Sequence, residues 1–341
     1  MAVKHRIGMA LALALALAGP AFPLHAAEGT GTPGFRTLAA PVPARGQSID
    51  VTVWYPAGDG GEEVRFGASP VFTGEPGRRG AAVAEGAFPT VLIAHGGLRA
   101  NAGAAGWIAA ALARRGYVVA IAHPPPLKPD EARRAVAEVW LRPADLSAAL
   151  DAVLADPALS AHTVPGKVAA LGFFLGGTSV LALAGGRLDG GQFRQSCDPP
   201  RIGPDCRWFS RFYVNLHDAA AGPAVEAGHR DPRVTLALAV NPELIDSMVG
   251  ASLSPPAIPV RLLYTGPAGG LKTLIPGVVP EALPAASPFS LFGDCTPKAP
   301  AILEEEGEDP GLCRDGKGRT RAEIHALSAA RIAALLEQGL R

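Results

Sequence analysis

The segment richest in chemical pattern is Lys167 to Gly186, KVAALGFFLGGTSVLALAGG. A buried-strand run enters Gly172-Phe173-Phe174-Leu175-Gly176-Gly177, and a helix of small residues leaves it. This is the frame of a nucleophile elbow, G-x-S-x-G, whose glycines let strand and helix close around one residue on a strained turn. That residue is ordinarily Ser, Cys or Asp, standing clear above the sheet to attack a carbonyl. Here it is Phe174, whose benzyl group has no lone pair and no ionisable proton.

The surrounding elements are those an elbow needs. Asp50 to Tyr55 (DVTVWY) alternates with period two and reads as an early antiparallel strand, followed by a Gly-rich connection from Ala57 to Ala87. Thr90 to His95 is a continuous buried run ending in Gly96-Gly97; Gly103 to Arg115 reads as helix, and Tyr117 to Ala122 as the next buried strand. Glu131 to Ala155 is helical, with an interruption expected at Pro143. Strands follow at Lys167 to Leu171, Val234 to Val240 and Pro259 to Thr265, with a helix opening at Gly177 and an amphipathic helix from Arg321 to Gln338. Such alternation predicts an α/β fold with a mostly parallel central sheet flanked by helices. Periodicity fails between residues 187 and 232, which is expected to be a cap inserted over the sheet.

Composition narrows the class. The 341 residues carry 31 Lys+Arg against 31 Asp+Glu, and hydrophobic residues make up 48%. That balance excludes a disordered chain, and the lack of a basic run argues against a nucleic-acid partner. At the N-terminus, Lys4 and Arg6 precede the apolar run Ile7 to Ala18, then Gly19-Pro20 and small residues at Ala26 and Ala27. This is the pattern of a signal peptide over residues 1–27, too short to span a bilayer. The expectation is a periplasmic or secreted protein of residues 28–341, with no membrane span after cleavage. In an oxidising compartment Cys197, Cys206, Cys295 and Cys313 are expected as two disulfides. Three connectivities are open; the local pairs 197–206 and 295–313 are the expected ones.

The chain resembles the exported branch of the dienelactone hydrolase and platelet-activating-factor acetylhydrolase-like families, within the α/β hydrolases. The matching phrases are VTVWYPA (51–57), FPTVLIAHGG (88–97), RGYVVAIAHP (115–124), RPADL (142–146), LGFFLGGTSVLALAG (171–185), DPRV (231–234) and FSLFGDC (289–295). The resemblance implies an α/β-hydrolase fold, to which the insertion at 187–232 and the local disulfides add a braced cap, and ester or lactone hydrolysis by a Ser (or Cys)–Asp–His triad without a metal; no cofactor is expected. It places oxyanion-binding amides at the Gly96-Gly97 turn and at Leu175. The triad itself does not carry over. The nucleophile slot is Phe174, the acid slot falls near Gly269 in Gly266-Pro267-Ala268-Gly269-Gly270, and the base slot falls on Pro288.

The remaining polar residues read as structural. His217, Asp218, His229 and Asp231 match no metal-ligand spacing and are expected to be solvated cap residues, and no metal is expected. His95 is expected to shape its turn, and His123 to serve in capping or turn bonding. Glu304, Glu305, Glu306, Glu308 and Asp309 read as a solvated loop. Trp208, Phe209, Phe212 and Tyr213 either pack the cap or line a groove for a lipid-like ligand. The reading is an exported pseudo-hydrolase that has lost ester cleavage and binds an apolar or ester-like small molecule, or a protein partner. The alternative is an active carboxylic-ester hydrolase using Ser179, Ser287 or Ser290.

Overall fold

A computed structural model describes residues 31–340 apart from 97, 99–102, 200–203, 219–221, 267–274, 284, 316 and 317. The signal-peptide segment and the acid slot near Gly269 therefore lie outside the described residues.

Ten strands form one sheet in the order β10-β9-β8-β7-β5-β6-β2-β1-β4-β3. In chain order they are β1 Gly34–Val42, β2 Gln47–Tyr55, β3 Glu62–Phe66, β4 Glu75–Arg79, β5 Phe88–Ala94, β6 Val118–His123, β7 Thr163–Phe173, β8 Leu236–Val240, β9 Val260–Thr265 and β10 Glu281–Leu283. From β6 to β10 along the sheet all neighbours run parallel, while β2 is antiparallel to both β1 and β6. The central strands are buried on both faces, which is why β5, β6 and β8 read as unbroken apolar runs rather than alternating ones.

Helices cover both faces. They are α1 Gly106–Arg114, α2 Glu138–Ala155, α3 Pro157–Ser160, α4 Leu175–Leu183, α5 Gly190–Gln195, α6 Pro204–Arg211, α7 Ala299–Glu305 and α8 Arg321–Leu340. Leu146, Leu150 and Val153 of α2 pack with Val180 and Leu181 of α4 in one core. Ile108 and Leu112 of α1 pack with Ile332, Leu335 and Leu336 of α8 in the other.

Two expectations need correction. The stretch from Ala57 to Ala87 is not simply a connection: it contains β3 and β4, an antiparallel pair that extends the sheet beyond β1. Phe66 of β3 lies 5.3 Å from Phe35 and 5.4 Å from Trp54, ring centre to ring centre, and this aromatic contact fixes a hairpin whose own alternation is weak. Nor does Pro143 interrupt its helix, because α2 runs through it and the residues before Glu138 form a 3₁₀ turn instead. A mid-helix proline costs about 3 kcal/mol. Tertiary bonds flanking Pro143 hold the helix: Arg45 reaches Glu138 at 2.7 and 2.9 Å and Asp145 at 2.6 and 2.7 Å, all three side chains being buried.

Both disulfides have the local pairing, Cys197–Cys206 and Cys295–Cys313. The first joins the ends of the segment between α5 and α6 in the insertion; the second encloses α7.

Candidate functional site

The elbow is formed and occupied by a phenyl ring. Phe174 separates β7 from α4 with φ 53° and ψ −120°, in the positive-φ region that a side chain of this bulk rarely adopts. Its backbone is held on both sides. The Phe174 amide donates to the Val240 carbonyl at 3.0 Å, and its carbonyl accepts from the Gly177 amide at 2.8 Å and the Glu243 amide at 3.1 Å. Two glycines make the close packing possible. A Cβ on Gly96 would overlap the Phe173 carbonyl and Phe174 Cβ, and one on Gly176 would overlap the Ala94 carbonyl.

The Phe174 ring is 2% exposed and lies among aromatic groups: Phe292 at 6.1 Å and His95 at 6.4 Å between ring centres. His95 in turn faces Phe173 at 5.8 Å and Phe292 at 5.4 Å. Burial drives the His95 pKa down to about 4, and neither ring nitrogen makes a well-formed hydrogen bond. It is a neutral ring packed beside the elbow, while its carbonyl accepts from Arg142 Nη1 at 3.1 Å. The backbone of His95, rather than its ring, thus ties the turn to α2.

The turn beyond it is also engaged. Gly97 lies outside the described residues, but the next amide, Leu98, donates to Asp205 Oδ1 at 3.1 Å. Leu175 opens α4 and is buried. Pro288 begins a 3₁₀ turn, Pro288–Leu291, capped by Ser287. The position expected as the base slot is thus a proline at the start of this turn.

The alternative nucleophiles are bonded elsewhere. Ser179 donates to the Leu175 carbonyl at 3.0 Å, back along its own helix, and the Thr178 hydroxyl donates to the Glu243 carbonyl. Ser287 and Ser290 lie 3.2 Å apart, oxygen to oxygen, and the Ser290 hydroxyl donates to Asp315 at 2.9 Å. Asp315 also accepts from Arg321 at 2.7 Å. The nearby imidazole, His325, stacks on Trp107 with ring centres 4.1 Å apart and planes 8° apart. Ser290, Asp315 and His325 are thus brought together, yet they are not wired as a relay.

His123 bonds Thr52 Oγ1 through Nε2 at 2.8 Å, and burial lowers its pKa to about 4. In the insertion, His217 is exposed and lies 2.7 Å from Asp198, and Asp218 is also exposed. Asp231 corrects the expectation of a solvated cap residue: it is buried, accepts from Arg233 and from Ser147 of α2 at 2.9 Å, and its pKa is lowered by those bonds against the opposing effect of burial. Among the described residues no group of three or more His, Cys, Asp or Glu could hold a metal ion. Trp208 and Phe209 are buried, with Phe212 4.7 Å from Trp208 between ring centres, so these three pack the cap; Tyr213 is 93% exposed. Glu304, Glu305, Glu306 and Asp309 are exposed, whereas Glu308 pairs with Arg211 of α6 at 2.9 Å.

Sequence reasoning missed the buried carboxyl pair Asp205 and Glu243, 1% and 8% exposed, beside the elbow. The Asp205 amide donates to Glu243 Oε2 at 2.8 Å. The available signals were slight: Glu243 follows a strand end in Asn241-Pro242-Glu243, and Asp205 adjoins a cysteine. A cleft of about 640 Å³ opens beside the turn rather than over Phe174, lined by Leu98, His123, Pro125, Glu138, Arg142 and the rim residue Asp50.

Solved structures share this architecture. A ferulic acid esterase from Streptomyces cinnamoneus superposes with a TM-score of 0.52 at 18% identity, over 95% of this chain and 93% of that one. A dienelactone hydrolase-like promiscuous phosphotriesterase from metagenomic libraries gives 0.48 at 15% identity, over 91% and 99%. A dienelactone hydrolase from Anabaena variabilis gives 0.45 at 13% identity, over 89% and 99%. No protein-family model and no curated protein matches the sequence. Strand order, elbow and neighbours together define an α/β-hydrolase fold. At 18% identity the likeness to the ferulic acid esterase is one of fold alone.

Proposed function

We propose that this protein is an exported pseudo-hydrolase, one that keeps the α/β-hydrolase scaffold, does not cleave esters, and acts by binding a small molecule or a protein partner. The observation that carries the reading is the Phe174 ring, buried at the elbow tip between Phe292 and His95. A phenyl group cannot form an acyl-enzyme, and loss of the nucleophile in a serine hydrolase costs about 10⁶ in turnover. Such a ring also fills the space an acyl group would need. Burying it removes about 150–250 Å² from water, which offsets a strained backbone worth about 1–3 kcal/mol.

Export is supported by the basic and apolar N-terminal pattern together with two disulfides. A binding role is supported by the cleft of about 640 Å³, within the range of small-molecule sites. Its lining mixes apolar walls with His123, Glu138 and Arg142, which suits a ligand with hydrogen-bonding groups better than a purely apolar one.

The test is to incubate the purified protein with a fluorophosphonate probe and a short-chain nitrophenyl ester. No covalent labelling and background turnover are expected. Labelling of any serine together with turnover would return the protein to the esterases.

A further inference from the structure

We propose that Asp205 and Glu243 share a single proton, and that this proton seats the cap helix α6 on the elbow. The two carboxyls come from different parts of the chain. Asp205 lies in the first turn of α6, tethered by the Cys197–Cys206 disulfide, and Glu243 lies in the loop leaving β8. Between them they join four segments. Leu98 of the turn after β5 donates to Asp205, the Asp205 amide donates to Glu243, the Glu243 amide donates to the Phe174 carbonyl, and Thr178 of α4 donates to the Glu243 carbonyl.

Each carboxyl retains one enclosed oxygen, Asp205 Oδ2 and Glu243 Oε1, without a hydrogen-bond donor. A buried acceptor left that way forfeits its hydration with nothing in return. Two bare carboxylates buried side by side also repel in a medium of low polarity. One proton held between the pair relieves both penalties, because a protonated carboxyl donates where an ionised one only accepts.

The charged groups facing the pair are Arg142 of α2, which acts on Asp205, and Arg207 of α6, which acts on Glu243. Both favour ionisation, but Arg142 is also bonded to Glu138 and to the His95 carbonyl. Burial, followed by repulsion from Asp205, outweighs Arg207 and pushes Glu243 up to about 9. His95 is neutral and adds no charge from the β5 side. Because the folded pair holds its proton more tightly than the unfolded chain, its contribution to stability is complete below the ordinary carboxyl range. That contribution declines as pH rises through about 9. The cap is accordingly held most firmly in mild acid and released in alkali.

The test uses the full oxidised protein, with hydrogen exchange of cap peptides followed from about pH 7 to about pH 10 and compared at each pH with Glu243→Gln. Glutamine keeps the shape and donates permanently to Asp205. Cap protection in the wild type is expected to fall at least ~10-fold relative to the variant over that range. An infrared band of a protonated carboxyl is expected in the wild type at about pH 8 and absent from the variant. That measurement decides the question even if the variant fails to fold. Identical protection profiles, no protonated band in the wild type, or protection abolished by EDTA would overturn the proposal, the last by placing a bound cation between the carboxyls.

Discussion

His325 Nε2 lies 3.0 Å from the carbonyl oxygen of Ser290 and 3.0 Å from that of Phe292, while the Ser290 hydroxyl is turned to Asp315. Carbonyls only accept, so Nε2 carries the proton and donates it. The imidazole is thus spent on fixing the Ser290–Phe292 turn against α8. It cannot take a proton from the Ser290 hydroxyl, which is itself fully buried.

Ser290→Ala is therefore expected to lower stability without touching reactivity. Losing a buried hydrogen bond to a charged acceptor costs about 1.5–3 kcal/mol. Urea denaturation should report that loss, and fluorophosphonate labelling should be the same before and after. A fall in labelling would make Ser290 a nucleophile.

Phe174→Ser is expected to leave ester hydrolysis at background. The imidazole beside the new hydroxyl would be His95, a weak base with its pKa near 4 and, among the described residues, no carboxylate hydrogen-bonded to orient it. The same substitution removes a buried ring and should cost about 3–5 kcal/mol in unfolding free energy. Turnover of a nitrophenyl ester well above background would show that a base and an acid stand within reach of that hydroxyl.

Arg45→Met tests the bonds that hold α2 through its proline. It would leave Glu138 and Asp145 buried without their shared partner, and removing one side of a buried ion pair typically costs about 3–5 kcal/mol. Burial raises the Glu138 pKa, yet its bonds to Arg45 and Arg142 pull it below the ordinary value, so the loss should be larger at neutral pH than in acid. Thermal melts at two pH values would check both the size and the direction.

Three imidazoles set the acid limit. Burial lowers His95, His123 and His325 to about 4 each, and an unfolded histidine titrates near 6.5. Their contribution is complete above about pH 6.5 and is lost as pH falls through about 4. Melting temperature should drop steeply across that window, each imidazole contributing on the order of a few kcal/mol. The Asp205–Glu243 proton works in the opposite direction, so the acid fall should steepen in Glu243→Gln.

The order of elements around the elbow was legible because the central strands are buried on both faces and announce themselves as apolar runs. The elbow was legible because its glycines are there for backbone contact, which no side chain tolerates. The β3–β4 hairpin was hidden because Glu62–Phe66 is half exposed and is held by Phe35 and Trp54, far away in sequence. The continuity of α2 depends on Arg45, 98 residues before Pro143 in the numbering, a pairing no local pattern encodes. Asp205 and Glu243 were invisible for the same reason. Each looks like an ordinary surface acid until the fold closes over both.

The Phe174 backbone has one more consequence. Its kinked conformation is held by the chain itself, since its amide and carbonyl are tied to Val240, Gly177 and Glu243. The bend is thus a joint of the architecture, fixed by backbone bonds whatever side chain stands at its tip. A designer wishing to install new chemistry would find the hinge already cast, and would have to supply only side chains and the room for them to work.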